Sequence, residues 1–220
     1  MLTFEGPTVK AYLPLDSWKF LAMPPVSATA VTILDAAERV TQAVGYNGLS
    51  FRDLAEAVGI KSASVHYHYP SKGQLGAAIA RRYTDRLMAH LNAVDALSLD
   101  VNEAMAAYVA VFRGTLERDG RMCLCGMLAA EKDAVPPEVQ AEVRRFVDLN
   151  VAWIAATGAR AADIATADPS IRHQAMAVFA ALEGAMLVAR GMDDIALFDT
   201  IVAQFARTPL LDFATASAGP

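Results

Sequence analysis

Side chains able to hydrogen-bond to a nucleic acid are concentrated in the short stretch from Lys61 to Lys72. A lysine such as Lys61 can donate to guanine O6 or N7, and the Ala63 methyl can contact a thymine methyl. Tyr67, His68 and Lys72 are better suited to phosphate, which fixes register without carrying sequence information. The stretch and its flank therefore predict a DNA-binding surface, formed by Ser50, Arg52, Lys61, Ser62, Ala63, Ser64, Tyr67, His68 and Lys72.

A capped, solvated helix surface is the alternative interpretation of this set. Arg52 in particular needs no partner, because an exposed arginine on a helix is common. Lys72 favours the DNA interpretation, because it lies in the first turn of a predicted helix whose N-terminal amides already attract an anion.

Two short helices joined by a glycine turn are predicted to position this surface. Ser50 followed by Asp53 is an S-x-x-D capping box, so the first helix should begin at Phe51. Gly59 tolerates a positive φ and should end that helix. The side chains expected on its buried face are Leu54, Ala55 and Val58.

The second of these helices should be capped by Ser62 and should bury Val65. A small residue such as Ala55 allows the two helices to cross closely after so short a turn. This is the geometry of a helix-turn-helix, whose second helix enters a major groove. We expect His66 to lie half-buried against the first helix.

Helical periodicity continues through the rest of the chain and predicts an all-α fold. Ser71 and Gln74 form a second capping box that opens a long helix, and Asp168 precedes a proline at the first position of a later one. No alternating apolar and polar run is long enough for a sheet. The predicted helices outside the helix-turn-helix span about 27–44, 72–91, 101–118, 122–132, 137–154, 170–190 and 193–207.

The proline content and the periodicity divide the chain into four predicted segments. Residues 1–26 carry four prolines and no sustained period, so we expect an extension of little fixed structure. Residues 27–75 hold the helix-turn-helix, residues 76–208 form a larger helical domain, and residues 209–220 form a tail.

The charge distribution suits reversible DNA binding, and the two cysteines, too close in sequence to crosslink a fold, predict a reducing compartment. The 220 residues carry a net charge of −5, but residues 26–92 carry +2 and the remainder −7. This partition concentrates cations near the helix-turn-helix. Charged residues interrupt every apolar run before the roughly 20 residues that a bilayer requires. With no basic leader before an apolar stretch, we expect a cytoplasmic protein that is not in a membrane.

The segment from Ile33 to Leu75 resembles the helix-turn-helix signature of the TetR/AcrR family of transcriptional regulators. Three pieces align with that signature in order: ILDAAERV, GYNGLSFRDLAEAVGI and SASVHYHYPSKGQL. His66 stands where tyrosine is commoner and Tyr69 where phenylalanine is usual, so both positions stay aromatic. The resemblance implies an N-terminal three-helix DNA-binding domain and a C-terminal helical domain for ligand binding and dimerisation.

This resemblance implies a non-enzymatic, ligand-responsive regulator without a cofactor. Its implied partners are double-stranded DNA with a palindromic operator, a small-molecule effector and a second copy of the chain. The implied mode of action is repression, released when the effector binds. The expected ligand pocket is formed by Tyr108, Phe112, Met122, Cys125, Trp153, Phe179 and Glu183, and the expected dimer interface by Phe179, Leu182, Met186, Ile201 and Phe205.

The two cysteines, Cys123 and Cys125, allow two interpretations. A C-x-C pair without further cysteine or histidine at ligand spacing does not favour zinc, so no metal site is expected. Buried cysteines behave as small hydrophobic residues in a core. The alternative is a thiol with a lowered pKa beside Arg121, which would make the protein an electrophile- or redox-sensing repressor of the same fold.

A helical enzyme is a remote alternative. The four histidines are scattered, and the chain contains no G-x-S-x-G, P-loop or H-E-x-x-H motif. No paired carboxylates share a predicted inward face. A helix-turn-helix used only for protein contacts also stays open at this point.

Overall fold

The computed structural model describes residues 27–118, 120–162 and 168–205, and the side chains of all of these except 161 and 162. The predicted extension 1–26 and the tail 209–220 lie outside the described residues. Within the described ranges the regular elements are all helices, which confirms the predicted all-α fold. They are α1 (Ala28–Val44), α2 (Phe51–Val58), α3 (Ser62–His68), α4 (Lys72–Ala96), α5 (Val101–Glu117), α6 (Leu124–Ala130), α7 (Pro137–Ala162), α8 (Pro169–Gly191) and α9 (Ile195–Phe205).

Helix α2 begins and ends as its sequence predicts. The Ser50 hydroxyl accepts a hydrogen bond from the backbone N–H of Asp53 at 3.4 Å. At the other end Gly59 is left-handed, with φ 74° and ψ 33°. The N–H of Ile60 donates to the Ala55 carbonyl at 2.9 Å and that of Gly59 to Glu56, which satisfies the last carbonyls of the helix.

The start of α3 differs from the prediction. Ser62 is the first residue of the helix, and the cap position is occupied by Lys61, whose side chain makes no capping hydrogen bond. The predicted cap at Ser62 was therefore wrong by one position. The connection between the two helices consists of residues 59–61 only. Lys61, whose backbone is extended, is therefore the residue at the cap position.

The described residues form two compact units. One, the helix-turn-helix unit, comprises residues 27–88 and 122–147 and so combines α1, α2, α3 and most of α4 with α6 and the first part of α7. The other, the α5–α8–α9 unit, comprises 89–118, 120–121, 148–162 and 168–205. The predicted domain boundaries at residues 26, 75 and 208 stay predictions.

The core of the α5–α8–α9 unit is formed by the facing sides of these three helices and the second part of α7. Tyr108, Ile154, Met186 and Phe198 are each 0% exposed. The predicted cap of α8 is confirmed, because the Asp168 carboxylate accepts from the Ser170 N–H at 2.8 Å. The Ser170 hydroxyl donates to the same oxygen at 2.7 Å, and these two hydrogen bonds lower the pKa of Asp168 below its ordinary value. Among the described residues no helix combines the length and apolarity needed to cross a bilayer.

Candidate functional site

Helices α2 and α3 pack against each other. Val65 on α3 is 0% exposed, as its spacing predicts. The rings of Phe51 on α2 and His66 on α3 have centroids 4.6 Å apart with an interplanar angle of 58°. His66 therefore packs against the first helix, although it is exposed rather than half-buried. With Val65 inward, the opposite face of α3 points away from the core.

The predicted base-contacting residues lie on this outward face of α3 and at its start. Lys61, Ser62 and Ala63 are exposed and Ser64 is partly so. Tyr67 is 83% exposed, an unusual value for so large an aromatic side chain. Its ring lies edge-on to that of His68 with centroids 5.2 Å apart, which restricts the orientation of both.

The predicted phosphate contact Lys72 begins α4 and is oriented by the turn between α1 and α2. Its Nζ lies 4.6 Å from the centroid of the Tyr46 ring and 3.4 Å from the Asn47 carbonyl oxygen, to which it donates. Arg52 is exposed on the first turn of α2. The hydroxyl of Ser50 is engaged as the cap of that helix, so Ser50 contributes through α2 rather than through a free hydroxyl.

Three arginines of α4, whose positive charge suggested a role in DNA binding, form ion pairs with carboxylates of the same unit. Arg82 pairs with Asp35 and Glu38 of α1 at 2.9 Å each, and Arg86 also pairs with Glu38. Arg81 pairs with Glu142 of α7 at 2.5 Å, and that hydrogen bond raises the arginine pKa above its ordinary value. Three of the seven cations in residues 26–92 therefore pair with carboxylates of the protein itself. Fewer cations are available to contact DNA than the net charge of this segment suggests.

Several residues that shape this unit were not anticipated. Gly73 and Gly76 lie three positions apart in α4. A Cβ at residue 76 would meet the Tyr46 ring at 2.8 Å and a Val139 methyl at 2.9 Å, and one at residue 73 would meet the Glu138 carboxylate at 2.1 Å. Glycine inside a helix lowers its stability relative to alanine, so two glycines in one predicted helix indicate a close packing contact. This was the signal in the sequence that could have identified them.

Three of the seven predicted pocket residues form one aromatic cluster in the α5–α8–α9 unit. The Tyr108 ring stacks on Trp153 with centroids 5.3 Å apart and meets Phe112 edge-on at 5.1 Å. The Tyr108 hydroxyl donates to Asn150 Oδ1 at 2.6 Å, and Asn150 is 0% exposed. Phe179 and Glu183 belong to the same unit on α8, with Phe179 buried and Glu183 partly exposed. Met122 and Cys125 belong to the helix-turn-helix unit and are buried there.

A surface cleft of about 580 Å³ lies in the α5–α8–α9 unit between the end of α4, the start of α5 and the last turns of α7. It is lined by Asp95, Ser98, Asp100, Thr157 and Arg160 together with apolar side chains, and none of the predicted pocket residues lines it. Trp153 connects the two features, because its indole N–H donates to Asp95 Oδ2 at 3.0 Å. Arg160 donates to the other carboxylate oxygen of Asp95 at 3.1 Å.

Both cysteines are 1% exposed, Cys123 at the cap position of α6 and Cys125 in its first turn. Reactive cysteines are partly exposed in an electropositive environment, so this burial supports the interpretation as core residues over that as a sensor. In the described ranges no group of three or more histidine, cysteine, aspartate or glutamate side chains could hold a metal ion.

The predicted dimer interface requires a correction on α8. Leu182 and Met186 are 3% and 0% exposed within the chain itself, and Phe179 is 9% exposed, so these three side chains offer almost no surface to a partner. A helix that is apolar on all sides does not reveal which side faces its own core. The large apolar side chains that α8 and its C-cap expose are instead Met176, Leu187, Val188 and Met192. On α9, Ile201 and Phe205 are partly exposed, as an interface requires.

Comparisons with known proteins agree with this helix-turn-helix architecture. Residues 33–79 match the family model described as bacterial regulatory proteins, tetR family. A TetR transcriptional regulator from Legionella pneumophila is 30% identical, covers 83% of this chain and 97% of its own, and superposes with a TM-score of 0.76. A TetR-family regulator from Agrobacterium tumefaciens is 30% identical over 84% of this chain and 96% of its own, with a TM-score of 0.75.

A more distant structure, the regulatory protein TetR from Rhodobacter sphaeroides, shares the fold at 20% identity. It covers 82% of this chain and 98% of its own, with a TM-score of 0.74. A comparison with curated proteins finds no match.

The fold and the exposed α3 surface define a DNA-binding transcriptional regulator of the helix-turn-helix class. The chain belongs to the TetR family of bacterial transcriptional regulators, which confirms the predicted resemblance. Its members respond to ligands, repression is typical of them, and they are generally not enzymes.

Proposed function

We propose that this regulator is a homodimeric repressor that leaves a palindromic operator in the cytoplasm when a small molecule binds to it. The observation that carries the proposal is the outward face of α3, where Lys61 and Tyr67 are exposed while Val65 is 0% exposed. A helix of this kind reads base edges in one major groove. Two copies related by a twofold axis would read half-sites about 34–36 Å apart, one turn of DNA.

The exposed side of α8 supports the proposal that the protein forms a homodimer. Met176, Ala180, Gly184 and Leu187 recur at helical spacing on one face, with Val188 beside them, and all five are exposed. A contiguous apolar face of this kind marks a protein interface. In a symmetric dimer the same face of both copies meets, so the small Ala180 and Gly184 would allow the two α8 helices to approach closely.

The cleft beside Asp95 and the aromatic cluster around Tyr108 support an effector site in the α5–α8–α9 unit. The cleft combines apolar side chains with the carboxylates of Asp95 and Asp100, the hydroxyls of Ser98 and Thr157, and the Arg160 guanidinium. Such a lining suits a molecule that has both an apolar part and polar groups able to hydrogen-bond. An effector releases the operator only if it binds the non-DNA-binding conformation more tightly.

The proposed function is tested by selecting duplexes from a random-sequence library with the wild-type protein. A palindromic consensus and a sedimentation mass of two chains are expected, and the double variant K61A/Y67A should lose the selected duplex while staying dimeric. A selection that returns no consensus, or a double variant that binds as wild type does, would contradict the proposal.

The effector is sought by a thermal-shift screen of small acids, aldehydes and enones. Hits should shift the wild type and a C123S/C125S variant equally, since both thiols are buried, and should weaken binding to the selected duplex. A hit that acts only when the cysteines are present would favour the thiol-sensing alternative.

A further inference from the structure

The carboxylate of Glu131 contacts the α1–α2 turn, which we define as residues 45–49. Glu131 Oε2 accepts the backbone N–H of Asn47 at 2.9 Å. The same carboxylate lies against Gly45, where an added Cβ would stand only 1.7 Å from Oε1. Gly45 also has φ 84°, so both its backbone and its missing side chain fit this contact.

The turn is held from its other side by Lys72. The Lys72 ammonium donates to the Asn47 carbonyl at 3.4 Å and lies over the Tyr46 ring. The N–H and the C=O of Asn47 are thus each bonded to a charged side chain from a different element. Tyr46, which is 5% exposed, anchors the turn in the core of the helix-turn-helix unit.

Glu131 is itself held at the C-cap of α6, where the connection to α7 begins. Its N–H donates to the Met127 carbonyl at 3.3 Å, and its own carbonyl accepts from Ala134 and Val135 at 2.8 and 3.2 Å. The backbone from which the Glu131 side chain extends is thus held by three hydrogen bonds, and its carboxylate is held by the Asn47 N–H. Its carboxylate therefore transmits the position of the α6–α7 connection to Asn47.

The α1–α2 turn leads directly to the DNA-binding elements. Leu49, 3% exposed, donates its N–H to the Tyr46 carbonyl, and the next residue, Ser50, caps α2. A displacement of Asn47 would therefore move the start of α2 and the Lys72 ammonium together. Because α3 packs on α2 through Phe51 and His66, the outward face of α3 would move as well.

We propose that Glu131 is a positioning residue for DNA binding, which fixes the α1–α2 turn and thereby the start of α2 and the ammonium of Lys72. The proposal rests on the proposed function only in requiring a selected duplex. It makes the specific mode of binding depend on a carboxylate 84 residues away along the chain from the amide it holds. Non-specific attraction to phosphate does not need this geometry.

The test compares E131A, E131Q and the exposed neighbour variant D133A on the selected duplex and on a scrambled duplex. E131A should weaken the selected complex by roughly three- to tenfold, the size expected for loss of one hydrogen bond to a partly exposed carboxylate. E131Q should retain most of the affinity, because its amide oxygen can accept from Asn47. D133A should show no change, and E131A should affect the scrambled duplex less than the selected one, because only the Lys72 contact is shared by both.

A role in electrostatics or in folding alone gives different results. Equal changes for E131A and E131Q, or equal changes on both duplexes, would show a charge effect and overturn the proposal. If E131A lowers the melting temperature substantially, a double-mutant cycle with G45A decides. G45A should cost less in the E131A background, where only the φ strain is left, and equal costs in both backgrounds would contradict the contact. A wild type that selects no duplex would count against the proposed function, not against Glu131.

Discussion

The guanidinium of Arg82 and the carboxylate of Glu38 form an ion pair at 2.9 Å between α4 and α1, with the two side chains only 6% and 13% exposed. Glu38 also pairs with Arg86 through its other oxygen. A single carboxylate thus compensates two arginines of α4, one of them buried. The pair holds together the helix that begins with Lys72 and the helix that precedes the α1–α2 turn.

Replacing Glu38 by alanine should destabilise the protein by roughly 3 kcal/mol, because it leaves the buried Arg82 charge with only the exposed Asp35 as partner. Urea denaturation measures this as a lower midpoint. The control is D148A, which removes the pair with Arg172, where both side chains are more than half exposed. That pair should contribute less than about 0.5 kcal/mol. Equal effects of the two variants would contradict the importance of burial.

Replacing Phe51 by alanine should loosen α3 from α2. The contact with the His66 ring is of a kind worth roughly 0.5–1.5 kcal/mol, so affinity for the selected duplex should fall by a factor of about three to ten. Fluorescence anisotropy measures the affinity, and E56A on the exposed side of α2 is the control. An F51A variant that keeps full affinity would show that α3 is oriented without this contact.

Replacing Lys72 by alanine should weaken binding similarly on all sequences. Loss of one phosphate contact lowers the slope of log affinity against log salt by about 0.9. Titrations at several salt concentrations on the selected and scrambled duplexes measure this slope. K132A, an exposed lysine of the same unit, provides the comparison and should leave the slope unchanged. The same slope for K72A and the wild type would remove Lys72 from the interface.

A carboxylate in the exposed face of α8 should separate the two copies of the proposed dimer. Leu187 is 62% exposed in the single chain, so L187E should cost little in its folding but should place two like charges near each other in the dimer. Analytical ultracentrifugation should show a monomer at micromolar concentration. The control A152E introduces the same charge at an exposed position of α7. A dimeric L187E protein would exclude this face as the interface.

His90 should make the protein less stable in mild acid. Burial lowers the pKa of His90 below its ordinary value of 6.5, so the folded state binds this proton less readily than the unfolded state. The stabilisation is complete above about pH 6.5 and is lost as the pH falls through the lower folded pKa. Denaturation of the wild type and H90Q between pH 7.5 and 5 should show a flatter dependence for H90Q. Parallel curves would contradict this assignment.

The sequence could predict those parts of the fold that depend on neighbouring residues. The cap at Ser50, the left-handed Gly59 and the inward Val65 each follow from a local pattern, and the structure confirms all three. The bond from Glu131 to Asn47 joins residues 84 positions apart, and no periodicity points to it. The internal partners of Arg82 and Arg86 were missed for the same reason.

The side of α8 that faces outward could not be predicted, because nearly every position of that helix is apolar. The structure resolves the choice by burying Leu182 and Met186 and exposing Leu187 and Val188. A cleft formed where α4, α5 and α7 meet is equally invisible in the sequence, since its lining comes from three separate stretches. The aromatic residues Tyr108 and Trp153 were recognisable by size and period, and these the structure brings together.

Because Cys123 and Cys125 are buried, the rate at which a thiol reagent labels them reports the opening of the structure around them. A thiol that is 1% exposed cannot meet an alkylating reagent until α6 separates from its neighbours. Under saturating reagent the labelling rate therefore equals the rate of that separation, and under dilute reagent it reports the open population. Labelling of these two native cysteines therefore measures opening motions in the helix-turn-helix unit, with no engineered probe.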